Sequence, residues 1–297
     1  MKPIADAAPA AIAEGRDGLI GRFSAMGSPC EVLADTRDRE LAARLLALAE
    51  GEARRIEAKF SRYLSDSAVS RLNHAAGTRL KVDAETADLL DFAARGYEAS
   101  GGLFDVTTGV LRRLWRFDGR AAAPDDEAIR RVLPLIGWDK VAWERPFLQI
   151  PPGFEIDLGG ICKEYAADRC LRLLGEAAPV GALVNLGGDI AASRARPWTI
   201  GIEDPARADR AIRSVLLSKG GLASSGDTKR FTVVDGKTLG HILDPRTGRP
   251  VAGTPRSVTV AASTCTEAGF FSTVAMLHGA GAEKFLADEG LEAWCCR

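Results

Sequence analysis

The sequence predicts an α+β fold, because helical patterns dominate the first half of the chain and strand patterns dominate the second half. The clearest helical signal lies over residues 38–59, where apolar side chains recur at helical spacing: Leu41, Leu45, Leu48 and Ile56. Between the halves stands Pro151-Pro152-Gly153, the strongest break in the middle of the chain. The change of pattern at this break predicts a helix-rich part followed by a sheet-rich part.

The other elements follow in chain order. Helices are predicted over Asp83–Ala99, which Gly101-Gly102 ends, over Asp125–Leu133 and over Cys265–His278. A strand is predicted over Phe23–Ala34, interrupted near Gly27-Ser28-Pro29, and Asp235-Gly236 is typical of a hairpin turn. The remaining predicted strands are Lys140–Ile150, Ala182–Asn185, Trp198–Ile202, Ser214–Ser218, Arg230–Val234 and Ser257–Ala262.

The length of 297 residues allows one large domain or two closely joined ones. We predict a flexible N-terminal arm over residues 1–20 and a single domain over residues 21–297. Within that domain, residues 21–150 form the helix-rich part and residues 151–297 the sheet-rich part.

Charge and composition exclude some classes of partner. The formal net charge is -1, from 39 basic and 40 acidic residues, so no basic excess is present to neutralise nucleic-acid phosphates. Aromatic residues do not alternate with Lys or Arg, as a groove for single strands would require. No apolar run approaches the length of a transmembrane helix. We therefore expect neither a nucleic-acid partner nor a transmembrane segment.

Cysteine usage and the N-terminal sequence bear on the compartment. The six cysteines form no C-x-x-C pair with metal-ligand spacing, which argues against a structural zinc site and fits a reducing compartment. Asp6, Pro9 and Glu14 interrupt the apolar stretch that a signal peptide needs. We expect a cytoplasmic protein.

Several predicted strands end in glycine next to a polar residue. In Ile156–Lys163, a strand of buried type meets Gly159-Gly160, and a helix then begins. Such a turn brings backbone close to a ligand, the helix N-terminus offers free N–H groups to an anion, and Lys163 adds a positive charge. The alternative is an ordinary tight turn. Asn185–Asp189 and Ser224–Asp227 have the same design, so the three turns together predict one shared cleft.

Residues 241–248 place an imidazole, a carboxylate and a guanidinium beside a proline turn. His241 is suited to act as a general base near neutral pH. The alternative is that Asp244 and Thr247 only satisfy the backbone of their own turn.

Together these segments resemble the ApbE family, the FAD:protein FMN transferases. The resemblance extends over roughly Phe23 to Gly279, with the motifs in the family's order. The segments that carry it are Met26-Gly27-Ser28, Phe60-Ser61-Arg62-Tyr63 with Ser67 to Asn73, Gly102 to Thr107 followed by Leu114-Trp115, Ile156 to Tyr165, Asn185 to Asp189, Ser225 to Asp227, and His241 to Gly248.

The resemblance implies an ApbE-like fold of two tightly joined α/β subdomains with an FAD cleft between them. It implies an enzyme that moves FMN from FAD onto a Thr or Ser hydroxyl of a target flavoprotein and releases AMP. The cofactor-binding positions that it implies are Met26, Tyr63, Leu103, Phe104, Asp105, Asp157, Lys163 and Ile242. Tyr63 has a planar face on which a ring of FAD can stack, and its alternative role is that of a core tyrosine.

This reaction requires a held pyrophosphate, neutralisation of the developing charge and a positioned, deprotonated hydroxyl. His241 is the candidate base, and Asp227 and Asp244 are candidates to orient it. The resemblance further implies a Mg²⁺ ion bound by oxygen ligands. Its positions here are the backbone carbonyl of Gly160 and the hydroxyl of Thr273.

Two positions depart from the family's pattern. Gly269 stands where the family has the Asp that binds Mg²⁺, four residues before Thr273, so a weakened metal site is expected. Glu164 stands where the family usually has Gly, which predicts a carboxylate that repels phosphate or faces solvent. Glu267 is a possible substitute ligand, but Thr264-x-x-Glu267 is a capping-box pattern, and we favour the cap.

Three functions are consistent with these residues. The first is the active transferase, which Lys163, Asp157 and His241 favour. The second is an FAD-binding protein without transferase activity, serving as a flavin carrier or an interaction partner, which Gly269 favours. The third is a metal-dependent FAD pyrophosphatase. The four-residue spacing to Thr273 also predicts that Gly269→Asp raises the affinity for Mg²⁺.

Overall fold

The computed structural model describes residues 11–120, 122–193, 196–227, 230–234 and 236–297. It confirms the α+β class. The α-helices are α1 Arg39–Phe60, α2 Ala68–His74, α3 Ala84–Ala99, α4 Asp126–Val132, α5 Cys162–Ala177, α6 Cys265–Leu277 and α7 Ala282–Asp288. The strands are β1 Ala11–Gly15, β2 Gly18–Ala25, β3 Ser28–Ala34, β4 Leu80–Lys81, β5 Ala142–Glu144, β6 Phe147–Gln149, β7 Ala182–Leu186, β8 Asp189–Ala192, β9 Trp198–Asp204, β10 Arg207–Leu217, β11 Gly220–Gly226, β12 Phe231–Val234, β13 Lys237–Gly240, β14 Leu243–Asp244, β15 Arg249–Pro250, β16 Ser257–Ala262 and β17 Glu292–Cys296.

An eight-stranded sheet with the order β1-β2-β3-β7-β8-β11-β16-β17 forms the centre of the fold. Every neighbouring pair in it is antiparallel. Because β3, β7 and β8 alternate in direction, the turn before β3 and the turn between β7 and β8 lie at one end of the sheet. The C-terminal end of β11 lies at that same end, since Leu222 pairs with Ile190 near the start of β8.

Alternation along the strands covers both faces of the sheet. Val184, Ala191 and Ala223 face the main core, where the helices α1, α5 and α6 pack. Residues one step away in sequence, such as Leu183 and Leu222, face a second cluster that contains Trp198 of the β9–β10 hairpin. Helix α1 has its predicted bounds to within one residue and begins after the N-cap Asp38. It buries Leu45 and Ile56 of the predicted apolar set, whereas Leu48 of that set is exposed.

The structure corrects three sequence predictions. Residues 11–20, assigned to a flexible arm, form β1 and the start of β2 at the sheet edge, because their backbone groups pair there; residues 1–10 lie outside the described ranges. The single strand Lys140–Ile150 is wrong, since Arg145-Pro146 turns the chain between β5 and β6. Ile156 contributes no strand and instead exchanges backbone hydrogen bonds with the Asn73 side chain, at 2.7 and 2.9 Å.

Asp235 lies outside the described residues, although β12 and β13 pair antiparallel on either side of it. The assignment of residues 21–297 to one domain stays a prediction. Across the described part of the chain, no helix has both the length and the apolar character needed to cross a membrane.

Asp168 joins α5 to α6. Its carboxylate accepts hydrogen bonds from the backbone N–H groups of Cys265 and Thr266, both at 2.9 Å, and from the Thr266 hydroxyl at 2.6 Å. These N–H groups belong to the first turn of α6, which has no intrahelical partners for them. The side chain of one helix therefore caps its neighbour and fixes how the two pack.

We expect Asp168→Ala to lower the free energy of unfolding by about 2 kcal/mol, because it removes a cap and leaves partly buried N–H groups without acceptors. Urea denaturation followed by circular dichroism measures this loss. Asp88→Ala is the matched control, since Asp88 is an exposed carboxylate that pairs with Arg145 at the surface. An equal loss in both variants would contradict the capping role.

Candidate active site

Two turns lie side by side at the end of the central sheet where β3 begins and β7 and β11 end. Met26 and Gly27 connect β2 to β3, and Gly187 and Gly188 connect β7 to β8. The Gly187 N–H donates to the Pro29 carbonyl at 3.0 Å, so the β7–β8 turn packs against the start of β3, next to the Met26-Gly27 turn. Met26 has φ 53°, a conformation that only a few per cent of residues other than glycine adopt and that often marks functional sites.

Lys163 lies in the first turn of α5 and reaches this end of the sheet. Its Nζ donates to Oδ2 of Asp189 at 2.5 Å, and Asp189 is the last residue of the Asn185–Asp189 motif. Burial alone would lower the pKa of Lys163, but the carboxylates of Asp189 and Glu164 outweigh it and raise the pKa. The ammonium is therefore charged and held in a fixed position, as a phosphate ligand has to be.

Asp157 lies before α5 and is paired with Arg62. The Arg62 guanidinium donates to Oδ2 of Asp157, while Oδ1 accepts from the Gly159 N–H at 2.9 Å. Sequence reasoning identified Asp157 and missed Arg62, although Arg62 lies inside the Phe60–Tyr63 motif. Its pairing joins that motif to the turn before α5.

Tyr63 is exposed, which rules out the alternative role of a core tyrosine. Its ring lies against the Arg62 guanidinium, with 5.0 Å between the guanidinium carbon and the ring centroid. Both residues line an open cavity of about 330 Å³. The other lining residues include Asn73, Arg112 and Arg113. An exposed aromatic face beside guanidinium groups suits the stacking of a planar ring.

Leu103, Phe104 and Asp105 are buried, so their side chains do not line an open surface. The Phe104 ring packs edge-on against Phe270, with centroids 5.1 Å apart. Asp105 accepts hydrogen bonds from the N–H and hydroxyl of Thr107 at 2.8 and 2.6 Å, and burial raises its pKa. Any contact of this segment with a ligand would therefore run through its backbone.

Glu164 does not face solvent, which corrects one expectation from the sequence. Its side chain is buried between α5 and α6, and within the described residues its Oε2 atom has no hydrogen-bond partner. Burial, and next the Asp189 carboxylate, raise the pKa of Glu164. A buried carboxylate oxygen without a partner is costly, and each such atom in a native structure requires an explanation.

Thr273 belongs to a small group of hydroxyls. The Ser225 hydroxyl lies 3.1 Å from the hydroxyl of Thr273 and 2.9 Å from that of Ser272. Ser225 and Ser272 were not among the predicted metal residues. Gly160 is exposed in the turn before α5, and open space surrounds the point where a side chain would begin.

Glu267 serves the start of α6, which agrees with the capping alternative. Its backbone N–H donates to the Thr264 hydroxyl at 3.1 Å, and its carboxylate accepts from the Ser263 hydroxyl. The carboxylate is thereby held at the N-terminal end of the helix, away from the Thr273 turn.

His241 is half-buried, and the structure does not pair it with either predicted carboxylate. Asp244 accepts three hydrogen bonds from Arg246 of its own turn, at 2.8 to 3.0 Å, which favours the turn-forming alternative for this residue. Asp227 packs on Gly240, beside His241, and lies 3.8 Å from the Arg256 guanidinium. Ile242 packs with the apolar cluster between β16 and α6.

Burial, followed by the positive charge of Arg230, lowers the pKa of His241 to about 4. The Nδ1 atom has no hydrogen-bond partner within the described residues. The imidazole is therefore neutral near pH 7, which is the protonation state that a general base requires.

The fold and this site define an α+β protein in which glycine-rich strand ends gather charged side chains around the first turn of one helix. The chain belongs to the ApbE family, whose family model matches residues 26–295.

Relatives and solved structures agree with this membership. The chain is 34% identical over 278 residues to an FAD:protein FMN transferase of Klebsiella pneumoniae, a match that covers 90% of this chain and 85% of that protein. It is 32% identical to the ApbE protein of Thermotoga maritima, with a TM-score of 0.83 and 92% of each chain covered. The apo flavinyl transferase ApbE of Pseudomonas stutzeri is 26% identical, with a TM-score of 0.82 and with 96% of this chain and 91% of that chain covered.

We expect the imidazole resonances of His241 to stay constant from pH 8 down to pH 5 and to shift only below pH 5, because its pKa is lowered to about 4. Two-dimensional NMR of ring-labelled histidines measures this, and His241→Gln assigns the signal. Since the folded pKa lies below the ordinary 6.5, His241 stabilises the fold fully above pH 6.5 and loses that contribution between pH 6.5 and pH 4. A midpoint near 6.5 would contradict the burial argument.

Proposed function

We propose that this chain binds FAD and transfers FMN from it to a Thr or Ser hydroxyl of a target flavoprotein, with release of AMP. The observation that carries the proposal is the ion pair of half-buried Lys163 with buried Asp189, which fixes a charged ammonium at the glycine-rich end of the sheet. The relatives that match most of the chain have the name FAD:protein FMN transferase, which supports this reaction over a flavin carrier or a pyrophosphatase.

FAD binding is assigned to the residues around this end of the sheet. Lys163 contacts the pyrophosphate, and Tyr63 stacks on a ring of FAD. Met26 contributes its strained turn, and Asp157 shapes the turn before α5 through Arg62 and Gly159. The other positions, which act through backbone or apolar contact, are Leu103, Phe104, Asp105 and Ile242.

In the reaction, the acceptor oxygen attacks the phosphorus of the FMN phosphate. The bond between that phosphorus and the oxygen bridging to AMP breaks, and AMP leaves with the bridging oxygen. Neutral His241 takes the proton of the acceptor hydroxyl. Asp227, which packs beside His241, orients this region, whereas Asp244 keeps its own turn in place through Arg246.

The residues present fit a Mg²⁺ ion. The hydroxyl of Thr273, the carbonyl of Gly160 and the Glu164 Oε2 atom, which has no hydrogen-bond partner in the described part of the chain, are hard oxygen donors of the kind that Mg²⁺ prefers. When bound, the ion neutralises charge on the pyrophosphate oxygens.

The target flavoprotein and the cytoplasmic location remain proposals. The cysteine usage supports a reducing compartment, and all six cysteines are free thiols in the structure.

The test is an FAD turnover assay with Mg²⁺ and a Thr-containing acceptor peptide, with AMP release and peptide mass as readouts. We expect peptide that gains FMN together with an equal amount of AMP. AMP without labelled peptide would support hydrolysis instead, and tight FAD binding without AMP would support a flavin carrier.

Lys163→Met should lower AMP release at least about 100-fold, because it removes the charge that contacts the pyrophosphate. The matched control is Lys284→Met, since Lys284 is exposed and pairs only with Asp288 within its own helix. Rates that fall equally in both variants, or in neither, would contradict the role of Lys163.

A further inference from the structure

Gly269 lies in the middle of α6, where glycine costs about 1 kcal/mol relative to alanine. Glu164 explains its presence. A Cβ added at Gly269 would lie 2.5 Å from Cγ of Glu164 and 3.0 Å from its Oε1, and both distances are too short for an ordinary side chain. The Glu164 side chain of α5 therefore occupies the space into which a side chain at position 269 would extend.

The two departures from the family's pattern are thus one exchange. The resemblance implies Gly in α5 and Asp in α6 at these positions. This chain has Glu164 and Gly269 there, and the structure places them in direct contact. Neither change is independent, since a side chain at 269 and Glu164 compete for the same volume. The carboxylate is still present and reaches the same place from the opposite helix.

The surroundings of this carboxylate favour a bound cation. Glu164 is 8% exposed, and its Oε2 atom has no partner within the described residues. The nearby cation, Lys163, donates to Asp189 at 2.5 Å and donates no hydrogen bond to Glu164. A buried carboxylate in this condition gains most from a ligand that supplies positive charge.

Further oxygen donors lie on the same side of α6. Thr273 follows Gly269 by four residues, so both positions lie on one helical face. The Ser225 hydroxyl lies 3.1 Å from the Thr273 hydroxyl and holds it in place. Ser225 is itself held by the Ser272 hydroxyl, which lies 2.9 Å away. One carboxylate and hydroxyl oxygens suit a hard divalent cation that keeps waters or substrate phosphates as its other ligands.

We propose that Glu164 is the carboxylate ligand of a divalent-cation site between α5 and α6, and that it replaces the carboxylate that Gly269 lacks. The site takes Mg²⁺ or Mn²⁺, with Thr273 as a second protein ligand. This inference rests on the proposed function, because the phosphates of FAD complete the coordination.

The proposal reverses one expectation from the sequence. Gly269→Asp alone does not raise Mg²⁺ affinity, because the new side chain meets Glu164 in a space that holds only one of them. It would also place two carboxylates together in a buried environment.

The test is a titration of Mn²⁺ followed by electron paramagnetic resonance, with the full chain and saturating FAD. FAD binding is measured separately by flavin fluorescence, so that a failure of FAD binding is distinguished from a failure of the cation site. Where FAD does not bind, the same titration with Mn²⁺ alone still compares the variants.

We expect Glu164→Gln, which keeps the shape and removes the charge, to weaken Mn²⁺ binding at least about tenfold with FAD affinity nearly unchanged. Glu267→Gln is the matched control, because it removes an acid of α6 that lies outside the proposed site. The exchange variant E164G/G269D should restore Mn²⁺ binding to within about threefold of the natural chain, whereas Gly269→Asp alone should not strengthen binding.

Unchanged Mn²⁺ affinity in Glu164→Gln would overturn the proposal. So would the absence of Mn²⁺ binding by the natural chain under either condition. Stronger binding by Gly269→Asp alone would show that the two carboxylates do not compete for one place. Circular dichroism of each variant verifies the fold, and where one single variant fails to fold, the exchange variant decides the question.

Discussion

The site depends on how closely α5 approaches α6. Asp168 fixes this approach by accepting the free N–H groups of the first turn of α6, and Gly269 permits it by presenting no side chain. Two charged residues in the first turn of α5, Lys163 and Glu164, are consequently placed among buried neighbours. Lys163 is compensated by Asp189, whereas one carboxylate oxygen of Glu164 has no partner within the described residues. This asymmetry is the strongest indication of a ligand.

Antiparallel pairing supplies the other half of the site. Because β3, β7, β8 and β11 are neighbours that alternate in direction, glycine turns that are far apart in sequence meet at one end of the sheet. Met26 accepts a positive φ there, and Asp189 holds Lys163 there. The solved ApbE structures that match this chain with TM-scores of 0.83 and 0.82 share its fold.

Sequence patterns predicted the elements whose signal is local. Helix α1 followed from its apolar spacing, and the shared position of the glycine turns followed from the repeated motif. The predictions failed in two ways. Two local hairpins were missed, because the two-residue turns at Arg145-Pro146 and Arg16-Asp17 carry no strong glycine signal of their own. Other predictions failed where a distant contact decides the outcome, as at Ile156, whose backbone pairs with the Asn73 side chain instead of a strand.

The role of Glu164 belongs to the same class of failure. Read along the chain, it is an acid that follows Lys163 and is expected to repel phosphate or face solvent. Its surroundings depend on Gly269, more than a hundred residues later in the chain, and only the three-dimensional contact shows that Glu164 fills the space beside Gly269. Arg62 and Ser225 were missed for the same reason, because each acts through a residue distant in sequence.

A crystal structure of the complex with FAD and Mn²⁺ decides whether Glu164 binds the cation, since anomalous scattering locates the ion independently of any activity. We expect an anomalous peak about 2.1 Å from a carboxylate oxygen of Glu164, next to the Thr273 hydroxyl, with the FAD pyrophosphate within reach of Lys163. A peak remote from Glu164, or a pyrophosphate bound among Arg62, Arg112 and Arg113 instead, would contradict it.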